Sequence, residues 1–404
     1  MSIDLEALYI DLHRHPELSF QETRTAGVAA AHLRDLGLEV HEGIGITGVI
    51  GVLGNGEGPV VWLRADMDAL PVTEETGLPY ASTATGVDPD GETVGVMHAC
   101  GHDMHVTAMI GAVERMVAER DQWSGTVVVV IQPAEEYGAG ARAMLDDGVL
   151  DRFPRPDIVL GQHVTPFPAG MFGVRPGPQM SASDGLQVVL HGRGGHGSRP
   201  HSTIDPIVMA AATIMRLQTV VSREVDPHDL AVVTVGAIHA GTKNNIIPAD
   251  ATMQLSLRYP DDQLRDKVLE KVERVIRAEA MASGAEREPE ISTLHTLPAT
   301  VNDADATARV TAAFASVFGE QAVIDPGLFT GSEDVSWFAR DAEVPLVFWF
   351  WGGADPAEYA AAIANGTVDS SIPTNHSPFY APVIHPTIEA GVTALVTAAR
   401  EFLD

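Results

Sequence analysis

The chain has a single cysteine, Cys100, in 404 residues. One thiol excludes a disulfide within the chain. Cys100 is therefore a buried filler, a reactive thiol or a metal ligand. Positive charge is also scarce. Twenty-five basic residues face 55 acidic ones for a formal net charge of −30, and only Lys243, Lys267 and Lys271 are lysines. No basic run is dense enough to neutralise a nucleic-acid backbone, so no nucleic-acid partner is expected. The acidic surplus reads as a solvated surface that also favours cations. Long apolar runs are missing as well. The longest, VVVVI at 127–131 and PLVFWFW at 345–351, fall far short of the ~20 residues that span a bilayer, so no membrane partner is expected either. The start, MSIDLEALYIDLHRHPELSF, is acidic where a secretory leader is basic and then apolar, which makes a cytoplasmic location the expectation. Apolar residues make up 45% of the chain, a soluble globular composition, and the length suffices for two domains.

Residues 4–37 are expected to be helical, with Ser19 and Glu22 at capping-box spacing and Gly37 ending the pattern. Strands are expected at 48–53 and 59–64. The second, PVVWLR, opens into ADMDALP, a pattern suited to the carboxyl edge of an α/β sheet. A helix begins near His102. GTVVVVIQP is a strand buried on both faces and runs into AEEYGAGARAML, while PDIVLGQHV at 156–164 is a short strand ending near His163. From residue 182 the order becomes β-α-β-β-α-β, with Asp205 as N-cap and Pro206 at the first helical position of DPIVMAAATIMRLQTVV. That order is a ferredoxin-like module. After residue 296 the earlier alternation resumes. The expected fold is α/β: a catalytic domain from residues 1–181 and 296–404, interrupted by an inserted ferredoxin-like domain at 182–295.

MHACGHDMH at 97–105 packs three histidines, an aspartate and the only cysteine into nine positions. Asp66 and Asp68, the pair Glu135 and Glu136, His163, and His376 in PTNHSPFY also fall at expected strand ends or loops. Such loops converge in space. Imidazole, thiolate and carboxylate together suit a zinc-like or manganese-like ion. Five or more candidate ligands exceed one tetrahedral site and point to two ions, which together can activate a water and polarise a carbonyl. Of two adjacent glutamates, one can bind metal while its neighbour moves protons, although acidic pairs are also common on surfaces. Cys100 acting as a nucleophile, with His102 or His105 as base, stays open at this point. Trp349, Phe350 and Trp351 are either a core strand or the lining of a substrate pocket.

The set RHPELSFQE, RADMDALP, MHACGHDMH, QPAEE, GQHV, GRGGHGSRPH, NNIIP, TGSEDVSWF and NHSPFYAP resembles the M20 metallopeptidase family. Within it, the set is similar to the amidohydrolase branch, subfamily D, of aminoacylases, hippurate hydrolases and indole-acetyl-amino-acid hydrolases. The resemblance implies a metal-binding α/β catalytic domain and an inserted lid that also forms a homodimer. It implies hydrolysis of N-acyl-amino acids, with a metal-activated water as nucleophile. Cys100, His102, Glu136, His163 and His376 would bind two divalent ions, zinc or manganese. Glu135 would be the general base, and Asp68 would orient a ligand. His196 would reach in from the partner subunit to stabilise the oxyanion, and Asn245 and Arg258 would hold the substrate carboxylate. Most branches carry His-x-Asp where this chain has Asp66-Met67-Asp68, and an aspartate ligand near Asp103. That leaves Asp66 as a supporting residue and Asp103 between weak ligand and hydrogen-bonded support. His98 and His105 read as structural. The alternatives are a dipeptidase, a carboxypeptidase or an N-carbamoyl-amino-acid hydrolase of the same superfamily, or a protein that binds acyl-amino acids without cleaving them.

Overall fold

Gly125–Gln132, GTVVVVIQ, forms the strand its β-branched run predicts, and nearly every residue in it is buried. Val127, Val129 and Ile131 face one apolar core, and the intervening valines are buried on the opposite face. A computed structural model describes the chain over residues 3–404. The described chain divides into two units. One runs to Gln179 and takes in Val301–Gly327 and Asp334–Asp404; the other is Met180–Thr300 with Leu328–Glu333.

The first unit is built on an eight-stranded mixed sheet. Its order is Glu39–Ile44, Gly48–Asn55, Gly125–Gln132, Val60–Asp66, Ile158–Pro168, Leu346–Ala354, Phe172–Gly173 and Val323–Ile324. The four central strands run parallel to one another, and the hairpin Glu39–Asn55 adds an antiparallel edge. Parallel strands need coverage on both faces. Helix His102–Ala118 is buried over most of its length and packs against Ile384–Arg400 and Leu5–Arg14. Trp349 and Trp351 belong to this core and are fully buried, so the aromatic strand is core and not a pocket wall.

The continuous helix expected over 4–37 is two helices, Leu5–Arg14 and Thr23–Asp35. Glu22 stands at the N-cap of the second without capping it. The Ser19 hydroxyl donates to Asp68, and the Glu22 carboxylate accepts from Ala134 N–H, so tertiary partners have displaced the local capping box.

The second unit folds in the order strand Ala182–His191, helix Pro206–Thr219, strands Val232–His239 and Asp250–Tyr259, helix Asp262–Ala282, strand Glu290–Leu297. The four strands form one antiparallel sheet in which Asp250–Tyr259 and Ala182–His191 are central. Asp205 caps the first helix through Ile207 N–H, with Pro206 at its start. Asp184 is buried and is met by a bidentate Arg265 from the second helix at 2.6 and 2.8 Å. The unit extends beyond the 182–295 span read from sequence for two reasons. Its last strand continues to Leu297, and Ser181 N–H donates to the carbonyls of Phe329 and Gly331, which brings in Leu328–Glu333. Among the described residues no helix is long and apolar enough to cross a membrane.

Candidate metal centre

Three strands of the parallel core deliver functional groups at or near their ends. Val60–Asp66 leads to Asp66 and Asp68, Gly125–Gln132 to Glu135 and Glu136, and Ile158–Pro168 carries His163. Helix His102–Ala118 begins at His102, after Gly101 in the left-handed conformation at φ 83°. A Cβ at Gly101 would lie 2.5 Å from Val164 Cγ1, so only glycine lets this turn lie against the strand. His376 is also left-handed at φ 71°, and its N–H donates to Ala99 O at 2.8 Å. Asn375 Nδ2 donates to Cys100 O at 3.1 Å and Val164 O at 3.2 Å, fastening the same loop.

Four overlapping trios of donor groups result within the first unit: Cys100, His102 and His163; Cys100, Glu136 and His376; His102, Glu135 and Glu136; and Asp66, His102 and His105, in which Asp66 and His105 already bond to each other. Within each, the donor atoms lie within 4.8 Å of one another. The hydrogen bonds set the imidazole tautomers. His163 Nδ1–H donates to Val164 O at 2.7 Å, which leaves the Nε2 lone pair 3.4 Å from Cys100 Sγ. His102 Nδ1–H donates to Asp68 Oδ1 at 3.2 Å, which leaves Nε2 facing Glu136 at 3.9 Å. His102 Nε2 and Glu136 Oε1 are buried and have no hydrogen-bond partner. Two buried polar atoms that face each other without a hydrogen-bond partner are what a cation between them would satisfy, so the residues present fit a metal centre.

The electrostatics agree. Burial, together with Asp68 and Asp66, pushes the Glu136 carboxyl up to about 8 against the pull of His102. Burial, then Glu136, Glu135 and Asp66, drive the Cys100 thiol well above its ordinary value. Burial and His105 hold His163 well below its ordinary value, so it is a neutral donor. Burial works against charge on His102, but Asp66, Asp68 and Glu136 raise it to about 10, so without a cation Nε2 carries a proton that a bound cation would replace. The pocket concentrates more acidic groups than burial tolerates, and a divalent cation would reverse that imbalance.

Several residues serve elsewhere. Asp66 is buried and accepts from Arg64 Nη1 at 2.6 Å and from His105 Nδ1–H; its nearer approach to His102 Nε2 is 3.7 Å. His105 uses its other nitrogen to accept from Val164 N–H at 3.0 Å. The Asp103 carboxylate accepts from His13 Nδ1–H at 2.6 Å and from Met104 N–H at 2.9 Å, and it joins none of the trios. His13 Nε2 in turn meets Glu74 at 3.2 Å. Arg64 is fully buried and also holds Gln132 at 2.8 Å and Asp334 at 3.2 Å. Sequence reasoning assigned no role at this site to Ser19, Glu22, His13, Arg64 or Asp334. The signal was present, because RHPELSFQE contains Ser19 and Glu22, RADMDALP contains Arg64 and TGSEDVSWF contains Asp334.

The remaining expected site residues lie in the second unit. His196 is exposed and pairs with Ile246 in a short antiparallel ladder, and its Nδ1 accepts from Ser198 N–H at 3.1 Å. Asn245 O accepts from Gly197 N–H at 2.8 Å, so these two expected residues are neighbours. Arg258 is half-buried, pairs with Ser183 across the sheet and donates to Leu257 O at 3.3 Å.

A parallel-centred α/β sheet that gathers imidazole, thiol and carboxylate donors beside its strand ends suits a metal-dependent hydrolase. The chain belongs to the peptidase family M20/M25/M40, whose model matches residues 62–377. It is 39% identical over 348 residues to the hippurate hydrolase of Campylobacter jejuni, covering 85% of this chain and 87% of that one. It is 38% identical over 346 residues to thermostable carboxypeptidase 1 of Saccharolobus solfataricus, covering 84% of each. Among solved structures, it is similar to the Bacillus subtilis YxeP protein, described as a dinuclear metal binding peptidase. The TM-score is 0.77 at 30% identity, covering 98% of each chain.

Proposed function

We propose that this chain hydrolyses the amide bond of N-acyl-amino acids, releasing a carboxylic acid and a free amino acid. The observation that carries the reading is the cluster of Cys100, His102, Glu136, His163 and the exposed His376, with buried, unpartnered atoms on His102 and Glu136 and with Glu135 beside them. These five residues would hold two divalent ions, and the thiolate favours zinc over manganese. Ions bound there would polarise the amide carbonyl and lower the pKa of the attacking water. Glu135 is buried next to Glu136 and takes the proton from that water, then passes it to the departing amine. Asp68 fixes the His102 tautomer through Nδ1. Arg258 and Asn245 bind the substrate carboxylate, and His196 stabilises the oxyanion. Exposed Val208, Met215, Ile238 and Ile246 in the second unit support a homodimer formed through it.

The name of the hippurate hydrolase relative supports an acyl-amino acid as substrate. The carboxypeptidase relative favours a second reading, cleavage of a peptide's terminal residue. Both reactions break an amide whose leaving group is an amino acid with a free carboxylate. The test is turnover of hippurate-like amides, dipeptides and N-carbamoyl amino acids by the metal-loaded protein and its Glu135→Gln variant. The reading expects the acyl amides to turn over and the variant to lose ~10²–10⁴-fold while keeping its metal. Turnover of dipeptides alone would sink the first reading in favour of the second. An unimpaired variant would sink the role of Glu135.

A further inference from the structure

Glu22 is fully buried, yet it lies outside the metal cluster. Its carboxylate accepts three hydrogen bonds from three separate stretches of chain. Oε1 takes Phe20 N–H at 2.9 Å and Ala134 N–H at 2.8 Å, and Oε2 takes the Thr47 hydroxyl at 2.6 Å. Each of those stretches contains a non-glycine residue in the left-handed region: Phe20 at φ 62°, Ile46 at 87° and Ala134 at 47°. Side chains with a Cβ rarely adopt that region, and they persist there where surrounding bonds over-determine them. Ala134 opens the turn that presents Glu135 and Glu136.

The other end of the same turn is held from the same segment. Glu136 N–H donates to Asp68 Oδ2 at 3.0 Å, and that oxygen also accepts the Ser19 hydroxyl at 2.7 Å. Ser19 and Glu22 thus brace the turn 134–136 at both ends, one through Asp68 and one directly. Neither residue is placed to touch substrate, because both are buried and their hydrogen bonds go to other parts of the protein.

We propose that Glu22 is a positioning residue for this site. Its carboxylate holds Ala134 in the left-handed conformation that aims Glu135 and Glu136 at the metal cluster. The proposal rests on the reading that Glu136 is a ligand and Glu135 the base. Hydrogen-bonded supports of metal ligands typically contribute ~10–100-fold in metal affinity or activity.

The experiment titrates Co²⁺ into the metal-free full chain by calorimetry and visible absorption, for wild type, Glu22→Ala, Glu22→Gln and Thr47→Val, with circular dichroism to check folding. Turnover of an acyl-amino acid is measured in parallel. Glu22→Ala is expected to weaken Co²⁺ binding ~10–100-fold, to alter the d–d bands and to lower kcat while KM stays within about twofold. Glu22→Gln keeps one acceptor oxygen for the two N–H groups and should lose ~3–10-fold. Thr47→Val removes a bond that does not touch Ala134 and should bind Co²⁺ like wild type. Unchanged Co²⁺ affinity and spectra in both Glu22 variants overturn the proposal. So does a loss in Thr47→Val equal to that in Glu22→Ala, which would mark general loosening. If Glu22→Ala does not fold, Glu22→Gln decides alone. Failure of the substrate reading looks different: wild type would turn over no acyl-amino acid, while the Co²⁺ titrations would still report on Glu22.

Discussion

Asp68→Asn separates the support of a ligand from the support of the fold. Asp68 Oδ2 accepts from the Ser19 hydroxyl at 2.7 Å and from Glu136 N–H at 3.0 Å, while Oδ1 accepts from His102 Nδ1–H at 3.2 Å. Asparagine has one acceptor oxygen. Glu136 N–H is a backbone donor that cannot turn away, so the oxygen must stay on that side and the NH₂ must face His102. Nδ1 then has to accept, which forces the proton onto Nε2, the nitrogen that faces Glu136. The lone pair available to a cation is lost although no atom has moved far. Wrong-tautomer substitutions of this kind are severe in other catalytic histidine pairs. For a metal ligand, loss of its hydrogen-bonded support amounts to ~10–100-fold in affinity, or about 1.4–2.7 kcal/mol at ~1.36 kcal/mol per tenfold. The metal-free variant should keep its thermal midpoint within about 2 °C, because without metal an Nε2–H faces Glu136 in both proteins. Calorimetric titration of the metal-free variant with Zn²⁺ measures the affinity, and a thermal scan measures the midpoint. Wild-type zinc affinity in Asp68→Asn would refute the tautomer argument, and a collapsed midpoint would show that Asp68 acts on the fold.

Trp349 is fully buried, meets Phe314 edge-on at 5.3 Å and donates to Gln162 Oε1 at 3.1 Å. Trp349→Ala should destabilise the first unit by ~3–5 kcal/mol, read as a lower denaturant midpoint at unchanged slope, and a loss below ~1 kcal/mol would contradict its place in the core. His13 supplies a pH dependence. Burial opposes its charge, yet Asp103 and Glu74 raise its pKa from 6.5 to about 10. The folded value lies above the unfolded one, so this stabilisation is complete below pH 6.5 and is lost as pH rises from there through about 10. Thermal scans of the metal-free protein between pH 6 and 10 should show a decline of at most ~1.4 kcal/mol per pH unit from this group. His13→Asn should reduce that slope and leave the part due to His102, whose pKa is also raised to about 10, and equal slopes in the two proteins would remove His13 as a cause.

The parts of this molecule that sequence reveals are those whose role is set by residue type or local period. Val127–Ile131 can only be a strand buried on both faces, and Asp205-Pro206 can only begin a helix. Cys100, His102 and Glu136 attract notice because few other roles place thiol, imidazole and carboxylate together. Ser19 and Glu22 show where this stops. Three residues apart, they match a capping box, and the local rule predicts that they bond to each other's backbone. They bond instead to Asp68 and Ala134, 49 and 112 residues away. The reason is energetic. A helix N-terminus near the surface can be satisfied by water, whereas Asp68 and the left-handed Ala134 are buried and have no such substitute. Polar side chains in that segment are therefore drawn to the partners that would otherwise remain unsatisfied. The same reasoning covers His13, whose partner Asp103 lies 90 residues on and is fully buried. A short polar motif beside a predicted metal site is thus better read as support for the site's buried acids than as a local cap. That reading predicts that Ser19→Ala lowers metal affinity through Asp68 and leaves the helicity of Thr23–Asp35 unchanged. Zinc titration and far-ultraviolet circular dichroism together test it, and a loss of helix at wild-type zinc affinity would restore the capping role.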